Sequence, residues 1–232
     1  MAIHVITSPW VISRKNAKRY LSEHLIIPET VTKIEEEAFF RQPKIQSVCF
    51  SDKLESIGAR AFQDCIHLKN FVLPNSLQRI ETEAFSGCKT LTEISLPASM
   101  KNISDRCFYR CRGLEKILIP EGIQRIGAEA FYFASITDLV LPSTLLSIKD
   151  KAFFRCNRLT NVVIPKSVNH IGMEAFHGCN YLKTLEIAHD PDFIGVKIVN
   201  KSTTIRCYEG SKVDVYCKKF EIPTEYIVDK EN

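Results

Sequence analysis

The side chains that could do chemistry in this chain are nine cysteines and six histidines. Five of the cysteines are regularly placed: Cys65, Cys88, Cys111, Cys156 and Cys179 are separated by 23, 23, 45 and 23 residues. A thiolate can ligate a metal or act as a nucleophile, and two thiols can pair as a disulfide. A metal cluster asks for C-x-x-C or for His/Cys pairs close in sequence. No C-x-x-C occurs; Cys107 and Cys111 lie four apart, but both fall at positions that packing explains. A nucleophile needs a base and an orienting group, and none of His4, His24, His67, His170, His177 or His189 has these at a recognisable spacing. His170 sits where other copies of the pattern below carry Lys33, Arg79 and Arg125, so it is read as a surface residue. Glu35, Glu36 and Glu37 form a charge run at an expected helix start, where carboxylates suit the dipole. The isolated glycines make no phosphate loop. No catalytic residue, metal or cofactor is expected.

The even spacing points instead to the element that carries the thiols. Leu68–Thr90 reads LKNFVLPNSLQRIETEAFSGCKT, and close copies begin at Leu91, Leu114, Ile136 and Leu159. Two more begin at Ser22 and Ile45, and a truncated one at Leu182. The Phe of the motif falls at 39, 62, 85, 108, 131, 153 and 176, in steps of 23, 23, 23, 23, 22 and 23. A fixed period held over seven copies means a solenoid of stacked coils.

Each position in the coil has a physical task, counting from the leading Leu or Ile. Positions 4 and 6 are apolar and alternate with 3 and 5, the signature of a strand with one buried face. Position 7 is usually Pro, which cannot donate to a ladder and ends the strand. Position 9 is mostly Ser or Thr (Thr30, Ser76, Ser99, Thr144, Ser167), whose hydroxyls can bond turn backbone. Positions 10 and 13 turn inward. Positions 14 to 20 are expected to form a short helical turn with Phe at 18 in the core. Position 21 is usually Cys, a small buried hydrophobe. The five thiols at that position should stack as reduced residues. Their parallel Cβ vectors do not suit disulfides.

The pattern L-x-x-[IVF]-x-[IL]-P-x-[ST]-[VLI]-x-x-I-x-x-x-A-F-x-x-C resembles the BspA-like class of leucine-rich repeat, also met in Treponema-type repeats. The resemblance runs from about residue 22 to residue 187. Departures are local: Ser51 for Pro, Cys107 for Ala, and Gln42 and Ala134 for Cys. It implies an α/β leucine-rich-repeat solenoid, a right-handed superhelix with a parallel sheet on one side and short helical turns on the other. It also implies protein binding of the interaction or adhesion type, and no enzyme.

One domain is expected, because coils that bury their faces against neighbours share one core. Residues 1–21 are read as an N-terminal cap, with Val5, Ile6, Val11 and Ile12 as its apolar group and Trp10 on the first coil. The basic residues Arg14, Lys15, Lys18 and Arg19 are read as its solvated surface. Residues 22–187 are the repeats and 188–232 a C-terminal cap. That cap is expected to contain a strand, a turn at Gly210–Ser211, a short helix and a last strand. Val213, Val215, Tyr216 and Phe220 should pack on the final coil. A net charge of +4 is too mild to imply nucleic acid, and no apolar run is long enough for membrane insertion. MAIHVITSPWVISRKNAKRY lacks a basic n-region and an A-x-A site. Together with the free thiols this favours a cytoplasmic setting. The cell surface or secretion, as in many relatives, is the alternative. A monomer is expected.

Two surface rows follow from the period. The first is the open sheet face. Position 3 carries Asn70, Glu93, Lys116, Asp138 and Asn161, and position 5 carries Val72, Ser95, Leu118, Val140 and Val163. A continuous aliphatic row on a rigid sheet suits a protein partner, although β-branched residues also favour strands by propensity. The second row lies on the turn side at positions 19 and 20: Phe40 with Arg41, Tyr109 with Arg110, Tyr132 with Phe133, and Phe154 with Arg155. Aromatic–Arg pairs are enriched at interfaces and can stack on sugars, which makes a glycan-binding module the alternative function. The same rings could instead lie flat on neighbouring coils.

Overall fold

The structure is a computed structural model, and it describes residues 10–228. Val5 and Ile6 of the expected cap group, and the last four residues, lie outside that range. The period of the sequence becomes a stack of coils, and three backbone ladders run along it.

The first ladder is the expected parallel sheet at positions 3 to 6. His24–Ile26 pairs with Ser47–Cys49, Glu93–Ser95 with Lys116–Leu118, and Asn161–Ile164 with Thr184–Ile187. Thr204–Cys207 and Thr224–Tyr226 extend it at the C-terminal end. The second ladder, at positions 12 and 13, was not anticipated from the sequence. Its two-residue strands run from Val11–Ile12 through Lys33–Ile34, Ser56–Ile57 and Arg79–Ile80. They resume from Asn102–Ile103 through Arg125–Ile126, Ser147–Ile148 and His170–Ile171 to Phe193–Ile194. The eighth coil therefore runs on past Ile187, although its sequence no longer follows the motif.

The third ladder replaces the helical turns expected at positions 14 to 20. Residues 36–41 and their equivalents are consecutive turns, not helix. Position 16 adopts the left-handed conformation in every coil, from Glu37 (φ 55°) to Lys197 (φ 54°). Position 20 does so in seven coils, with Gly only at Gly87 and Gly178. The physical consequence is an alternation of backbone N–H direction. Odd positions donate three residues back within the coil, as in Phe40 N–H to Glu37 O (3.2 Å). Even positions donate to the next coil: Phe39 to Ala61 (2.8 Å), Phe62 to Ala84 (2.8 Å), Phe85 to Cys107 (3.0 Å) and onward to Phe176 with Ile198 (2.8 Å). A helix would have kept those donors to itself. The left-handed residues cost roughly 1–2 kcal/mol each, and the inter-coil bonds offset this.

The core lies between these ladders. The seven position-18 Phe side chains are all fully buried and stack with centroids 5.1 to 5.8 Å apart. Phe50 and Phe71 add edge-on and stacked rings beside Phe62 and Phe85. The position-9 hydroxyls of Ser76, Ser99 and Ser167 donate to the position-10 carbonyls of the preceding coils at 2.6 to 2.7 Å. Between the third and fourth coils both strand ladders are interrupted. There the side-chain carbonyl of Asn70 accepts from the backbone N–H groups of Thr92 (3.0 Å) and Glu93 (3.1 Å), and the Phe85–Phe108 spacing of 5.8 Å is the widest in the column.

The ends differ from two expectations. Trp10 does not cover the first coil: it is 70% exposed, and Ile12 and Ala17 supply the buried contacts instead. Strand alternation explains this, since Val11 and Ile12 pair with Lys33 and Ile34 and only Ile12 faces inward. At the other end the helix Lys212–Phe220 follows the Gly210–Ser211 turn, capped by Ser211 Oγ accepting from Asp214 N–H (3.1 Å). Val213, Tyr216 and Cys217 are buried, but Val215 lies on the solvent side of that helix and is 60% exposed. The Tyr216 hydroxyl donates to Gly195 O (3.0 Å) and accepts from Ile198 N–H (3.2 Å), which ties the helix to the eighth coil. Asp214, 1% exposed, accepts from Gly210 N–H (3.0 Å), Lys218 Nζ (2.8 Å) and the Tyr226 hydroxyl (3.3 Å).

Two outcomes follow. Phe85→Ala removes a ring stacked on both sides and should cost about 3–5 kcal/mol, measured by denaturant melting; a loss below ~1 kcal/mol would mean the ring is not in the core. The Lys218 ammonium, with the Gly210 N–H, lowers the Asp214 pKa. A lowered folded pKa contributes stability above the unfolded carboxyl range, near about 3.9, and that stability is lost as pH falls through the folded value. Melting temperature followed into acid should therefore drop less steeply in Asp214→Asn than in wild type, from a lower starting point at neutral pH. Parallel acid profiles would remove Asp214 from this role.

Candidate functional site

Strand alternation places the first row as the sequence implied. Val72, Leu118, Val140 and Val163 point away from the core and are 84, 62, 78 and 58% exposed. Ile26 and Ser95 extend the row, and so does Cys49, the exposed thiol among nine. Seven coils at about 4.8 Å spacing make it close to 30 Å long. The two most exposed of these side chains, Val72 and Val140, sit on coils whose strands leave the pairing. Residues 70–72 form no ladder, and Asp138 makes only a single bridge with Lys116. At its C-terminal end the row becomes charged and closed: Arg206 holds Glu186 (2.6 Å) and Glu225 (3.2 Å).

Beside it, position 3 is occupied at the ends and open in the middle. His24 bonds Ser47 (2.9 Å), Asn70 bonds Thr92 (3.0 Å) and Asn161 bonds Thr184 (2.6 Å). In the centre, Glu93, Lys116 and Asp138 are exposed and have no ion pair among the described residues. Asp138 only accepts from the hydroxyl of Thr137 (3.1 Å). The arrangement offers an aliphatic strip flanked by three uncommitted charges of alternating sign.

The turn-side row is brought together differently. Tyr109, Tyr132, Phe154 and His177 form one column, with centroids 5.0, 4.8 and 5.8 Å apart. The Tyr109–Tyr132 and Tyr132–Phe154 planes are 24° and 9° from parallel, so ring faces are spent on neighbouring coils. Phe40 stands apart, with Arg41 over its ring at 4.9 Å. Arg110 lies over Tyr109 (5.1 Å), and Arg112 and Arg155 both lie over Phe133 (5.5 and 5.1 Å). A shallow depression of ≈ 380 Å³ opens beside Arg155, His177, Asn157 and Asn180.

The position-21 thiols of Cys65, Cys88, Cys111, Cys156 and Cys179 are buried and donate to the Phe carbonyls of preceding coils at 3.1 to 3.3 Å. That bond gives Cys a reason to be preferred over Ala, which a composition argument could not supply. Burial pushes Cys65, Cys111 and Cys179 up to about 12, and Cys88, Cys107 and Cys156 well above the ordinary thiol value. Among the described residues no three His, Cys, Asp or Glu side chains are grouped to hold a metal ion. No helix among them is long and apolar enough to cross a membrane.

One row went unread in the sequence although it is plainly there. Position 16 runs Glu37, Arg60, Glu83, Arg106, Glu129, Lys151, Glu174, Lys197, alternating in sign through eight coils. Arg60 reaches Glu37 (3.0 Å), Arg106 reaches both Glu83 (3.4 Å) and Glu129 (2.8 Å), and Lys151 reaches Glu174 (3.4 Å). Aligning the copies and comparing charge at one position would have found it. Glu37 thus belongs to an inter-coil zip and not to a helix start.

The model of the BspA type leucine rich repeat region matches residues 18–133 and 124–210, in six copies. Among solved structures the chain is similar to the T. pallidum leucine rich repeat protein, at 27% identity over 74% of this chain and 82% of that one, with a TM-score of 0.68. It is also similar to a leucine-rich repeat protein from Bacteroides ovatus, at 26% identity and a TM-score of 0.67, covering 84% of this chain and 57% of that one. A leucine rich cell surface protein from Faecalibacterium prausnitzii shares the fold at 19% identity over 95% of this chain and 83% of that one, with a TM-score of 0.54. Among curated proteins, none matches this chain.

The thiols make a direct check on this geometry. Under native conditions a thiol reagent should react quickly with one residue, Cys49, and with all nine only after denaturation. Peptide mapping that finds Cys88 or Cys156 labelled as fast as Cys49 would overturn the ladder.

Proposed function

The chain belongs to the BspA-type leucine-rich repeat family, and we propose that it is a non-enzymatic protein-binding module whose partner docks on the exposed face of the main sheet. Repeat proteins of this kind generally serve as interaction modules, and their extended faces suit large partners better than small substrates. The observation that carries the reading is the aliphatic row Val72–Leu118–Val140–Val163 beside unpaired Glu93, Lys116 and Asp138. A strip of apolar side chains supplies area, and charges without internal partners supply register and specificity. The coils that carry the row are tied to one another by the turn ladder on the far side, so ordering the receptor costs a partner little. The glycan alternative depended on free ring faces. The stacked column leaves mostly ring edges, and the sheet row has no aromatic side chain.

Cys49 provides the experiment, because it is the exposed thiol and lies in the row itself. A photoreactive maleimide placed there should cross-link the partner in a native extract. The triple variant Leu118→Glu, Val140→Lys, Val163→Glu should abolish that cross-link. Its melting free energy should stay within about 0.5 kcal/mol of wild type, since the three side chains bury little surface. Arg112→Gln with Arg155→Gln, on the opposite side, should leave the cross-link intact. If instead the triple variant still captures the partner and the arginine pair does not, the sheet face is not the site.

A further inference from the structure

Of the twelve arginines between Trp10 and Val228, all but four have a carboxylate within ion-pair distance. The exceptions are Arg19, on the N-terminal cap, and Arg110, Arg112 and Arg155, which share one patch. These three are not loose. Arg110 rests on Tyr109, and Arg112 and Arg155 both rest on Phe133, each centroid contact between 5.1 and 5.5 Å. Tyr109 is itself locked in the inter-coil column, and Phe133 packs edge-on against Tyr132 of that column at 5.0 Å. The position-16 acids on this side are already taken, Glu129 by Arg106 (2.8 Å) and Glu174 by Lys151 (3.4 Å), and Glu115 is held by Arg158. The chain therefore presents oriented guanidinium groups, and the described residues supply no counter-charge for them.

The depression beside Arg155 continues the same chemistry. Asn180 N–H donates to the Asn157 side-chain carbonyl (3.3 Å), and the Asn200 amide donates to that of Asn180 (3.2 Å). Both acceptor atoms are thus occupied, and the amide N–H groups of Asn157 and Asn180 are left without a partner among the described residues. His177, which also lines the depression, is engaged through Nδ1, 3.4 Å from Val199 O. One coil further on, Lys197 has no ion pair among the described residues. Donors and positive charge thus extend over four or five coils, about 20 Å, too far apart for one small anion.

We propose that this turn face is a second docking surface, independent of the sheet row, and that its occupant is an acidic polypeptide segment whose carboxylates pair with Arg110, Arg112 and Arg155. Carboxylates match the guanidinium fork, and an extended chain places alternate side chains at spacings that can follow the coils. Single-stranded nucleic acid binds by stacking bases on free ring faces, and saccharides would need the same faces, which here are covered by neighbouring rings at Tyr132 and Phe154 and by guanidinium groups at Phe133.

The test is fluorescence anisotropy of a labelled oligoglutamate of about ten residues, long enough to span the patch, titrated with the full chain. Binding is expected at low salt and should weaken as salt rises. Arg112→Gln with Arg155→Gln should weaken it about tenfold or more, a difference well outside error. Lys53→Gln with Lys166→Gln removes the same charge away from the patch, and should change affinity less than about twofold. Melting curves of both variants should match wild type, since all four side chains lie on the surface. Three results would each overturn the proposal. They are no binding of oligoglutamate at low salt, equal losses in the two variants, or a sulfated oligosaccharide of matched length binding more tightly through the same arginines.

Discussion

The structure depends on one alternation: along positions 15 to 21 every second backbone N–H leaves its own coil and bonds to the next. This is the one connection that crosses every coil boundary. The main sheet lapses around the third and sixth coils, and the position-12 ladder lapses between the third and fourth. The bonds at positions 16 and 18 continue through all of them, with the Phe column packed directly behind. Left-handed residues make the alternation possible. They are mostly charged, long-chain residues and seldom glycine, because the side chains at position 16 also meet across the coil boundary as ion pairs. Each such pair is worth little by itself at the surface, yet their alternating sign opposes any ordering that sets like charges across a coil boundary.

That arrangement releases the sheet face from structural duty. Where the turn side carries hydrogen bonds, ring stacking and charge pairing together, positions 3 and 5 need only tolerate an extended backbone. They can therefore vary in charge and expose aliphatic groups without threatening the fold, which is the condition for a recognition surface. The most exposed aliphatic residues occur where strand pairing is weakest, at Val72 and Val140. At Val72 the inner side of the third strand is packed by Phe50 and Phe71, and Asn70 substitutes a side-chain carbonyl for the missing backbone acceptor.

The solenoid, the Phe column, the hydroxyl row and the buried thiols were legible in the sequence because each is a single position repeated at a fixed step. What was not legible depends on geometry that apolar spacing does not encode. The turns read as helical because A-F and the flanking charged residues suit a helix. The left-handed conformation of Glu37 or Arg106 leaves no compositional mark of the kind glycine would. Trp10 was assigned to the core by its size, whereas its place just before Val11 and Ile12 leaves it outside. On the turn side the Tyr109–Tyr132–Phe154 column was visible as a row, but whether ring faces or ring edges met solvent required coordinates. The same holds for the guanidinium groups of Arg110, Arg112 and Arg155, since a missing counter-charge is a fact of three dimensions.

The charge alternation at position 16 also bears on how such a chain can grow. Repeats of this kind lengthen when a stretch of coding sequence is copied beside itself. Copying one coil would set two residues of like sign against each other at the junction, Glu against Glu or Arg against Arg. Copying two adjacent coils preserves the order of signs at the new junction. The tandem of two coils, and not the 23-residue motif that the eye picks out, is the smallest segment this solenoid can gain or lose without opposing its own charges.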